Sequence, residues 1–377
     1  MSLGNRIAAE LRGDRTIWMI IAVLSLFSLL AVYSASGWEA WRSRGGNTTV
    51  MFVSHLVRLA FGLFIIYMCH LLHYRQYQRV APILILAAIP LLTFTLFYGE
   101  NINDANRWLN IAGFSFQPSE FAKIALLIYI AKELTRKQDY ISSFKQAFLP
   151  IIVPVLIVCG LIAPANLSTA VLLFFTCLLL MFIGRVSWKY IFLLGLLGMV
   201  VFAGLLAVGK LYPDSGLVRV DTWVSRVQEF LHSEDGGFQV QQAKIAIAKG
   251  GVIGEGPGNS IIRNFLPYAH ADFIYAIICE EYGLLGGTVV LVLYVMLFLR
   301  NVKLVTQSPK AFGAFLAIGL SLMLTVQALA NIAVNVNLVP ATGLTLPLIS
   351  MGGTSMLFTC VALGMILSVS KYIESLE

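Results

Sequence analysis

Ionisable side chains inside or beside long apolar runs are the residues of this sequence that could do chemistry. Glu120 and Lys123 lie three residues apart in QPSEFAK, and Asp272 precedes an apolar run that also contains Glu280 and Glu281. A charge at the centre of a membrane helix costs about 2.5–3.5 kcal/mol, so such a residue usually faces a polar cavity or a partner. These residues therefore predict structural ion pairs, or a site for proton transfer and anion binding.

Asp272 has two interpretations. An Asp directly before an apolar helix is an ordinary N-cap, which contributes about 1 kcal/mol and needs no further role. The alternative is a general base, because Arg263, His270 and a glycine-rich turn precede it on the face where a lipid headgroup would lie, and a carboxylate there can accept a hydroxyl proton. Glu280 and Glu281 lie roughly 12–13.5 Å further along a helix. We expect at least one of them to bind backbone or hydroxyl groups of a neighbouring helix, in a structural role.

Glu120 and Lys123 stand on one face of a helix, where they can neutralise each other. Their pairing is either a structural ion pair or a means of directing the Lys123 ammonium at an anionic substrate. The preceding residues 116–119 predict that the helix begins at Pro118 or Ser119.

Transmembrane helices are the elements that must position these residues. The chain has 377 residues, 58% hydrophobic and 12% charged, whereas soluble proteins are about 45–50% apolar and about 25% charged. Apolar runs of about 20 residues, the length a helix needs to cross hydrocarbon, recur along the chain. We predict an all-α polytopic membrane protein with a single membrane domain over 1–377 and ten transmembrane helices, near 17–36, 53–72, 80–98, 119–136, 147–164, 166–184, 187–209, 272–300, 312–336 and 348–370.

Basic residues indicate the orientation, because cytoplasmic loops carry the excess of Lys and Arg. With the N-terminus inside, the short outer loops hold only Arg42, Arg44 and Arg107. The inner segments hold Arg6, Arg12, Arg15, Arg75, Arg79, Lys132, Arg136, Lys137, Lys145, Arg185, Lys189, Arg300, Lys303, Lys310 and Lys371. Both termini are therefore predicted to be cytoplasmic, and 210–271 is one long extracytoplasmic loop between helices 7 and 8. Lys and Arg beside anionic lipids account for the net charge of +7, so no nucleic-acid partner is predicted.

The long loop contains further patterns. In LVRVDTWVSRVQEFL (217–231) apolar residues recur at helical spacing between charges, which is typical of a helix on the membrane surface. GGFQVQQAKIAIAKGG also predicts a helix, and the glycines at 254, 256 and 258 predict an irregular turn. This turn is not a nucleotide loop, because Lys249 precedes the glycines instead of following them. Cysteines and histidines are scattered, so the spacing predicts no metal site.

Three segments carry a family resemblance: RWLNIAGFSFQPSEFAK (107–123), GFQVQQAKIAIAKGGVIGEGPGNSIIRNFLPYAHADFIYAIICEEYGLLGG (237–287) and NLVPATGLTLPLISMGGTS (337–355). In matching order they resemble the SEDS (shape, elongation, division and sporulation) family of ten-helix membrane glycosyltransferases. The resemblance implies a polymerase of the peptidoglycan glycan strand that uses the lipid-linked precursor lipid II. The TGLTLP segment resembles the division members more than the elongation members.

The resemblance also implies roles for single residues. Asp272 corresponds to the essential acidic residue of the family, Glu120 and Lys123 to its ion pair, and Arg107 to the Arg of its RWL motif. Further substrate-binding candidates are Gln117, Ser355, His270 and Arg263.

This chain departs from the family pattern in places. Tyr268 stands where relatives commonly have Glu and Ala271 where they have Thr, so a second carboxylate beside Asp272 is missing. Asn166 replaces a usual Asp ahead of the sixth helix, which removes any ionic role there. A mechanism with two acids is therefore not expected.

A single general base suffices for the implied reaction. Asp272 would take the proton of the acceptor sugar hydroxyl, and Lys123 or Arg107 would stabilise the charge of the departing lipid diphosphate. No cofactor is required, and a divalent cation at the diphosphate is left open. The implied partners are a class B penicillin-binding protein, whose span would pack on 312–336 or 348–370, and other division proteins of the bacterial inner membrane.

Three alternatives remain open at the level of sequence. An elongation-type polymerase would share the same chemistry. A flippase or transporter would show broken helices in two corresponding halves with a site at the midplane. A non-catalytic scaffold would tolerate Asp272→Asn.

Overall fold

Helices form most of the protein. The computed structural model describes residues 13–37, 48–101, 106–111, 114–211, 220–232, 237–266, 269–308 and 310–374. Within these ranges the helices are α1 (Arg15–Ala35), α2 (Thr48–Leu71), α3 (Tyr74–Tyr98), α4 (Pro118–Arg136), α5 (Leu149–Ile162), α6 (Leu167–Ile183), α7 (Trp188–Leu211), α8 (Val220–His232), α9 (Phe238–Gly250), α10 (Ile274–Gln307), α11 (Ala311–Asn335) and α12 (Gly353–Glu374). A π-helical turn, Phe144–Phe148, precedes α5.

Seven helices of the described residues are long and apolar enough to cross a membrane: α1, α2, α3, α5 with the turn before it, α10, α11 and α12. Two further apolar segments, Leu167–Ile183 and Trp188–Gly204, are shorter. Helix α4 has the length but carries several charges, among them Glu120, Lys123 and Glu133. The chain is thus a helical, polytopic membrane protein.

The centre of the helix bundle is formed by α4, α11 and α12. Leu126, Leu127 and Ile128 of α4 are fully buried. In the apolar stretch of 18 residues that could cross the membrane, 83% of the residues of α11 and 72% of those of α12 are buried inside the protein. The sequence predicted that these last two helices offer a face to a partner's span, but most of their surface already packs against the rest of the bundle.

A small antiparallel sheet lies between α3 and α4, which the prediction of helices alone missed. Its strands are β1 (Glu100–Asn101), β2 (Asn106–Ile111) and β3 (Phe114–Phe116), in the order β1–β2–β3. Trp, Leu, Ile and Phe in β2 and β3 favour a strand and follow no helical period. Leu109 pairs with Phe116, so the two strands return the chain to the start of α4.

Helix α10 is broken at Gly283, whose φ of 67° and ψ of −171° lie outside the helical region. The glycine-rich turn after α9 supplies partners for the backbone groups that the break frees. The N–H groups of Leu284 and Leu285 donate to the carbonyls of Gly251 and Val252 at 2.9 and 3.2 Å. A non-helical backbone at this depth is tolerated when protein groups satisfy it in this way.

The carboxylates of Glu280 and Glu281 fasten the same turn. Glu280 accepts hydrogen bonds from the Lys249 ammonium at 3.2 Å and from the Ser260 hydroxyl. Glu281 accepts from the hydroxyl of Ser34 on α1 and from the Ser260 N–H at 3.3 Å. Both acids bind backbone and hydroxyl groups of neighbouring segments, as the sequence predicted.

The loop between α7 and α10 contains the two predicted helices, α8 and α9. Glycines 254, 256 and 258 have φ values of 95°, 95° and 80°, as expected of an irregular turn. Tyr268, Arg42 and Arg44 lie outside the described residues.

Candidate active site

A cavity of about 570 Å³ lies at the end of the bundle where α4, α6 and α10 begin and α11 ends. Strand β2, helix α8 and the segment 342–355 complete its walls. Most of the residues that line it are polar or charged. It includes Arg107, Gln117, Glu120, Asn166, Trp223, Arg226, Gln239, Asp272, Gln327, Thr345 and Ser355.

Asp272 lines this cavity without capping the helix that follows it. The cap position of α10 is Phe273, which makes no side-chain capping bond. A Cβ placed on Gly343, whose φ is +66°, would lie 3.7 Å from Asp272 Oδ2. The carboxylate therefore stands beside a backbone segment that approaches it closely.

The electrostatics of Asp272 combine two opposing effects. Burial raises the pKa of this carboxyl above its ordinary value, while Arg107 and Arg226 lower it in part. Burial is the larger effect because it disfavours the ionised form in a poorly solvated site. A carboxylate with a raised pKa binds a proton more readily near neutral pH, which suits a general base.

Two arginines come to the cavity from separate elements. Arg107 is on β2 and Arg226 is on α8, and both act electrostatically on Asp272. Arg226 Nη1 also donates to the carbonyl of Ala341 at 3.2 Å, which ties α8 to the segment after α11. The sequence predicted Arg107 as a site residue but missed Arg226, which it treated as part of the polar face of a surface helix. The spacing of Trp223 and Arg226 on one helical face was the available signal.

Glu120 and Lys123 form the predicted ion pair, with 2.9 Å between Lys123 Nζ and Glu120 Oε1. The ammonium also donates to Gln327 Oε1 at 3.2 Å. Glu120 and Gln327 line the cavity and Lys123 does not. Lys123 is 2% exposed, so its charge is held behind the wall by protein partners.

Gln117 and Ser355, two of the substrate-binding candidates, both line the cavity. The Gln117 side chain donates to the Ser119 hydroxyl at 3.0 Å, and α4 begins at Pro118 as predicted. The hydroxyls of Ser355 and Thr345 lie 3.2 Å apart.

Arg263 and His270 do not belong to the cavity lining. Arg263 Nη1 donates to the hydroxyl and the carbonyl of Ser34 at 2.9 and 3.1 Å, so it ties the long loop to α1. The carbonyl of His270 accepts a bond from the Met351 N–H at 2.9 Å. Their proximity to Asp272 in the sequence suggested substrate contacts, but the loop folds back on other elements before it reaches Asp272.

No group of three or more His, Cys, Asp or Glu that could hold a metal ion occurs in the part of the chain that the structure describes.

The sequence did not single out Gln327, because the candidates were charged residues and this side chain is a neutral amide. Its burial in an apolar helix was the available signal.

Together the fold and the cavity define a class: a helical membrane protein with a polar cavity at one end, whose lining contains Asp272, Glu120 and two arginines. Residues 14–375 match the model of the FtsW, RodA and SpoVE family, described as cell cycle proteins. The chain belongs to this family, the one that the sequence motifs resembled, and is a multi-pass protein of the bacterial inner membrane.

The relatives cover nearly the whole chain. The stage V sporulation protein E of Bacillus subtilis is 31% identical over 95% of this chain and 97% of its own length. A probable peptidoglycan glycosyltransferase FtsW of Geobacter sulfurreducens is 33% identical over 99% of both chains.

Solved structures share the fold. One, from work on the structural coordination of polymerization and crosslinking by a peptidoglycan synthase complex, has a TM-score of 0.75, with 26% identity over 95% of this chain and 97% of that one. The crystal structure of the rod shape determining protein RodA of Thermus thermophilus has a TM-score of 0.68, with 25% identity over 95% of this chain and 96% of the other.

Proposed function

We propose that this protein polymerises the glycan strand of peptidoglycan from lipid II, with Asp272 as the general base. The observation that carries the proposal is the position of Asp272 in the polar cavity, whose lining it shares with Arg107 and Arg226. Relatives named probable peptidoglycan glycosyltransferase FtsW, 31–34% identical over nearly the whole chain, support the activity.

The reaction needs one base and a cationic site. The 4-hydroxyl of the acceptor sugar attacks the anomeric carbon of the donor, its proton passes to Asp272, and a new C–O bond forms. The bond between the anomeric carbon and the diphosphate breaks, and the lipid diphosphate leaves with the electron pair. Because this leaving group is already anionic, no general acid is obligatory. A single carboxylate is therefore sufficient.

Arg107 and Arg226 are the cations we assign to the diphosphate. Both line the cavity, and a guanidinium binds phosphate oxygens in a bidentate manner. Lys123 is less suited to this role, since it is buried against Glu120 and Gln327. We propose instead that Lys123 pairs with Glu120 and holds its side chain in place at the cavity wall. Whether a divalent cation also binds the diphosphate is left open, as in the sequence analysis.

The proposed topology has ten spans in one membrane domain. Helices α4, α6 and α7 join the seven long apolar helices of the described residues to make this number. Both termini would be cytoplasmic and the cavity extracytoplasmic, because Arg136, Arg185 and Arg300 lie at the opposite end of their helices from the cavity, and basic residues face the cytoplasm. The loop 210–271, which contains α8 and α9, would then lie outside.

A division role and a class B penicillin-binding protein as partner complete the proposal. Several relatives carry the division name FtsW, and a structural neighbour comes from a peptidoglycan synthase complex. The elongation-type polymerase remains the nearest alternative, since RodA shares the fold. A transporter is not favoured, because the cavity lies at one end of the bundle and not at the midplane.

The direct test is polymer synthesis by the purified protein. Reconstituted in liposomes with lipid II and a class B transpeptidase, the parent protein should produce glycan polymer, visible as a ladder on a gel. A preparation that is folded and bound to the transpeptidase but makes no polymer would contradict the proposed function.

A further inference from the structure

Three side-chain amides of α11 form a row that we call the amide ladder: Gln327, Asn331 and Asn335. Residues four apart lie on one face of a helix, and these three are 3%, 1% and 0% exposed. A buried amide costs free energy unless it is hydrogen-bonded. Each member of the ladder bonds to backbone that surrounds the cavity.

Asn331 joins two walls of the cavity. Its Nδ2 donates to the carbonyl of Asp272 at 2.8 Å and to the carbonyl of Leu344 at 2.6 Å. Leu344 follows Gly343, the residue whose backbone approaches the Asp272 carboxylate. One amide therefore fixes the backbone of Asp272 relative to the segment opposite its carboxylate.

Asn335 holds the start of α10. Its Oδ1 accepts from the Ala276 N–H at 3.2 Å, in the first turn of that helix, where the cap residue Phe273 provides no side-chain bond. Its Nδ2 donates to the Asn331 carbonyl at 2.8 Å. Helix α10 is thus capped from a neighbouring helix, at the position where Asp272 leads into it.

Gln327 continues the ladder toward the ion pair. Its Nε2 donates to the Thr345 carbonyl at 2.9 Å and its Oε1 accepts from Lys123 at 3.2 Å. The ladder therefore connects α4, the 344–345 segment and the start of α10 through one helical face.

The chain before α10 is held at successive residues. The carbonyl of Ala271 accepts from the Ser350 hydroxyl at 2.6 Å, and the carbonyl of His270 accepts from the Met351 N–H at 2.9 Å. With the bond from Asn331, the carbonyls of residues 270, 271 and 272 are all bound by distant segments. Such a segment is well suited to hold a reactive side chain in one geometry.

We propose that Asn331 is the positioning residue for Asp272, and that the rest of the amide ladder supports it. The inference rests on the proposed function, because it assigns Asn331 a role in the same reaction. Asn331 touches no substrate in this scheme; it acts through the backbone of Asp272, which sets the distance from the carboxylate to the acceptor hydroxyl. A misplacement of 1 Å at a reacting group can cost about 10²-fold in rate.

The test measures kcat and KM for lipid II in Asn331→Ala and Asn331→Ser. Asn331→Ala removes both bonds, so kcat should fall by about 10²-fold while KM stays near that of the parent. Asn331→Ser keeps a hydroxyl donor for one carbonyl and should lose less in kcat. If Asn331→Ala does not fold, the kcat of Asn331→Ser decides the question.

Asn301→Ala is the matched control. Asn301 is a fully buried amide of α10 whose Nδ2 donates to the Leu297 carbonyl of its own helix at 2.7 Å. It should lose thermal stability and keep its kcat. A parent-like kcat in folded Asn331 variants, or an equal loss in Asn301→Ala, would overturn the positioning role.

The two levels of the proposal fail in different ways. If Asp272→Asn polymerises like the parent, the proposed general base is wrong. If Asp272→Asn is inactive and the Asn331 variants retain the parent kcat, the positioning role alone is wrong.

Discussion

Arg107 and Arg226 partly offset the effect of burial on the pKa of Asp272. Arg226→Gln removes one positive charge, so the pKa of Asp272 should rise further above its ordinary value. Because the base is lost as pH falls through its pKa, the acid limb of the pH–rate profile should move to higher pH. Polymer synthesis by the variant, measured across a pH series, checks this shift.

Arg136→Gln is the control for this change of charge. Its side chain is 62% exposed and pairs with Glu133 at 2.9 Å, at the opposite end of α4 from the cavity. It should leave the profile unchanged. A shift to lower pH in Arg226→Gln, or no shift at all, would show that Arg226 does not act on the catalytic carboxylate.

The ion pair of Glu120 and Lys123 predicts a strong coupling between two substitutions. Lys123→Ala leaves Glu120 buried without its cation, and breaking a buried pair costs about 3–5 kcal/mol. The double variant with Glu120→Ala and Lys123→Ala should recover folding more than activity, because it removes the unpaired charge but also a polar wall of the cavity. Melting temperature in detergent and polymer synthesis measure the two effects.

Arg136→Ala serves as the reference, because Arg136 is exposed and Glu133 keeps its pairing with Lys137 at 3.1 Å. It should cost at most about 1 kcal/mol. Equal recovery of folding and activity in the double variant would mean that the pair is purely structural.

At the residue scale, the sequence predicted what local spacing determines. The three-residue spacing of Glu120 and Lys123 implied their contact, and the apolar run after Asp272 implied its place at a helix start. Arg226 was missed because its approach to Asp272 depends on how the long loop folds over the bundle. The position of Arg263 was missed for the same reason, since it binds Ser34 on α1 and does not line the cavity.

The break in α10 predicts a large difference between two glycine substitutions. Gly283 has a positive φ, and a Cβ there would lie 2.2 Å from the Val252 carbonyl oxygen. Gly283→Ala should therefore disrupt the docking of the glycine-rich turn and lower the melting temperature strongly. Gly160→Ala, on the exposed surface of α5 with nothing within 4 Å of its Cβ, should be neutral or slightly stabilising.

Thermal unfolding in the same detergent compares the two glycine variants. A Gly283→Ala protein as stable as Gly160→Ala would show that α10 can run straight through this position without the turn.

At the element scale, the length of the apolar runs was the reliable signal for membrane helices. It located α1–α3, α11 and α12 because about 20 apolar residues are what a membrane helix requires. It could not find the break at Gly283, since one glycine within an apolar run does not distinguish a straight helix from one that docks against a loop. Strands β1–β3 were missed because so short a sheet makes no periodic pattern.

Orientation in the membrane is the property of the whole molecule that labelling can test. Two serines of the long loop that could be labelled, Ser215 and Ser233, lie outside the described residues, so we choose the exposed Ser225 of α8 as the labelling site. A cysteine at Ser225 should react with an impermeant thiol reagent in intact spheroplasts, because α8 lies on the outer side in the proposed topology.

A cysteine at the exposed Lys303 of α10 is the control and should react only after permeabilisation. Among the native cysteines Cys159, Cys177, Cys279 and Cys360 are buried, which limits the background. The reverse pattern of labelling would place the cavity in the cytoplasm and overturn the topology.

At the scale of the whole molecule, composition predicted a polytopic membrane protein, and the distribution of Lys and Arg predicted its orientation. They could not predict the cavity, whose walls come from β2, α4, α8, α10 and the 342–355 segment. These parts are far apart in sequence, and they meet only because α11 and the small sheet return the chain to the same end.

Replacing Asp272 by Asn tests the general base most directly. Asn keeps the size of the side chain and removes its charge. Burial raises the pKa of Asp272 in the folded protein, so its ionised form opposes folding at neutral pH and the Asn variant should melt at or above the parent temperature.

The rate of lipid II polymerisation by purified Asp272→Asn, in complex with its transpeptidase, is the decisive measurement. Loss of a general base costs about 10²–10⁴-fold, so we expect a fall of that order in a protein that is as stable as the parent. Polymer synthesis at close to the parent rate would contradict the assignment of Asp272 as the base.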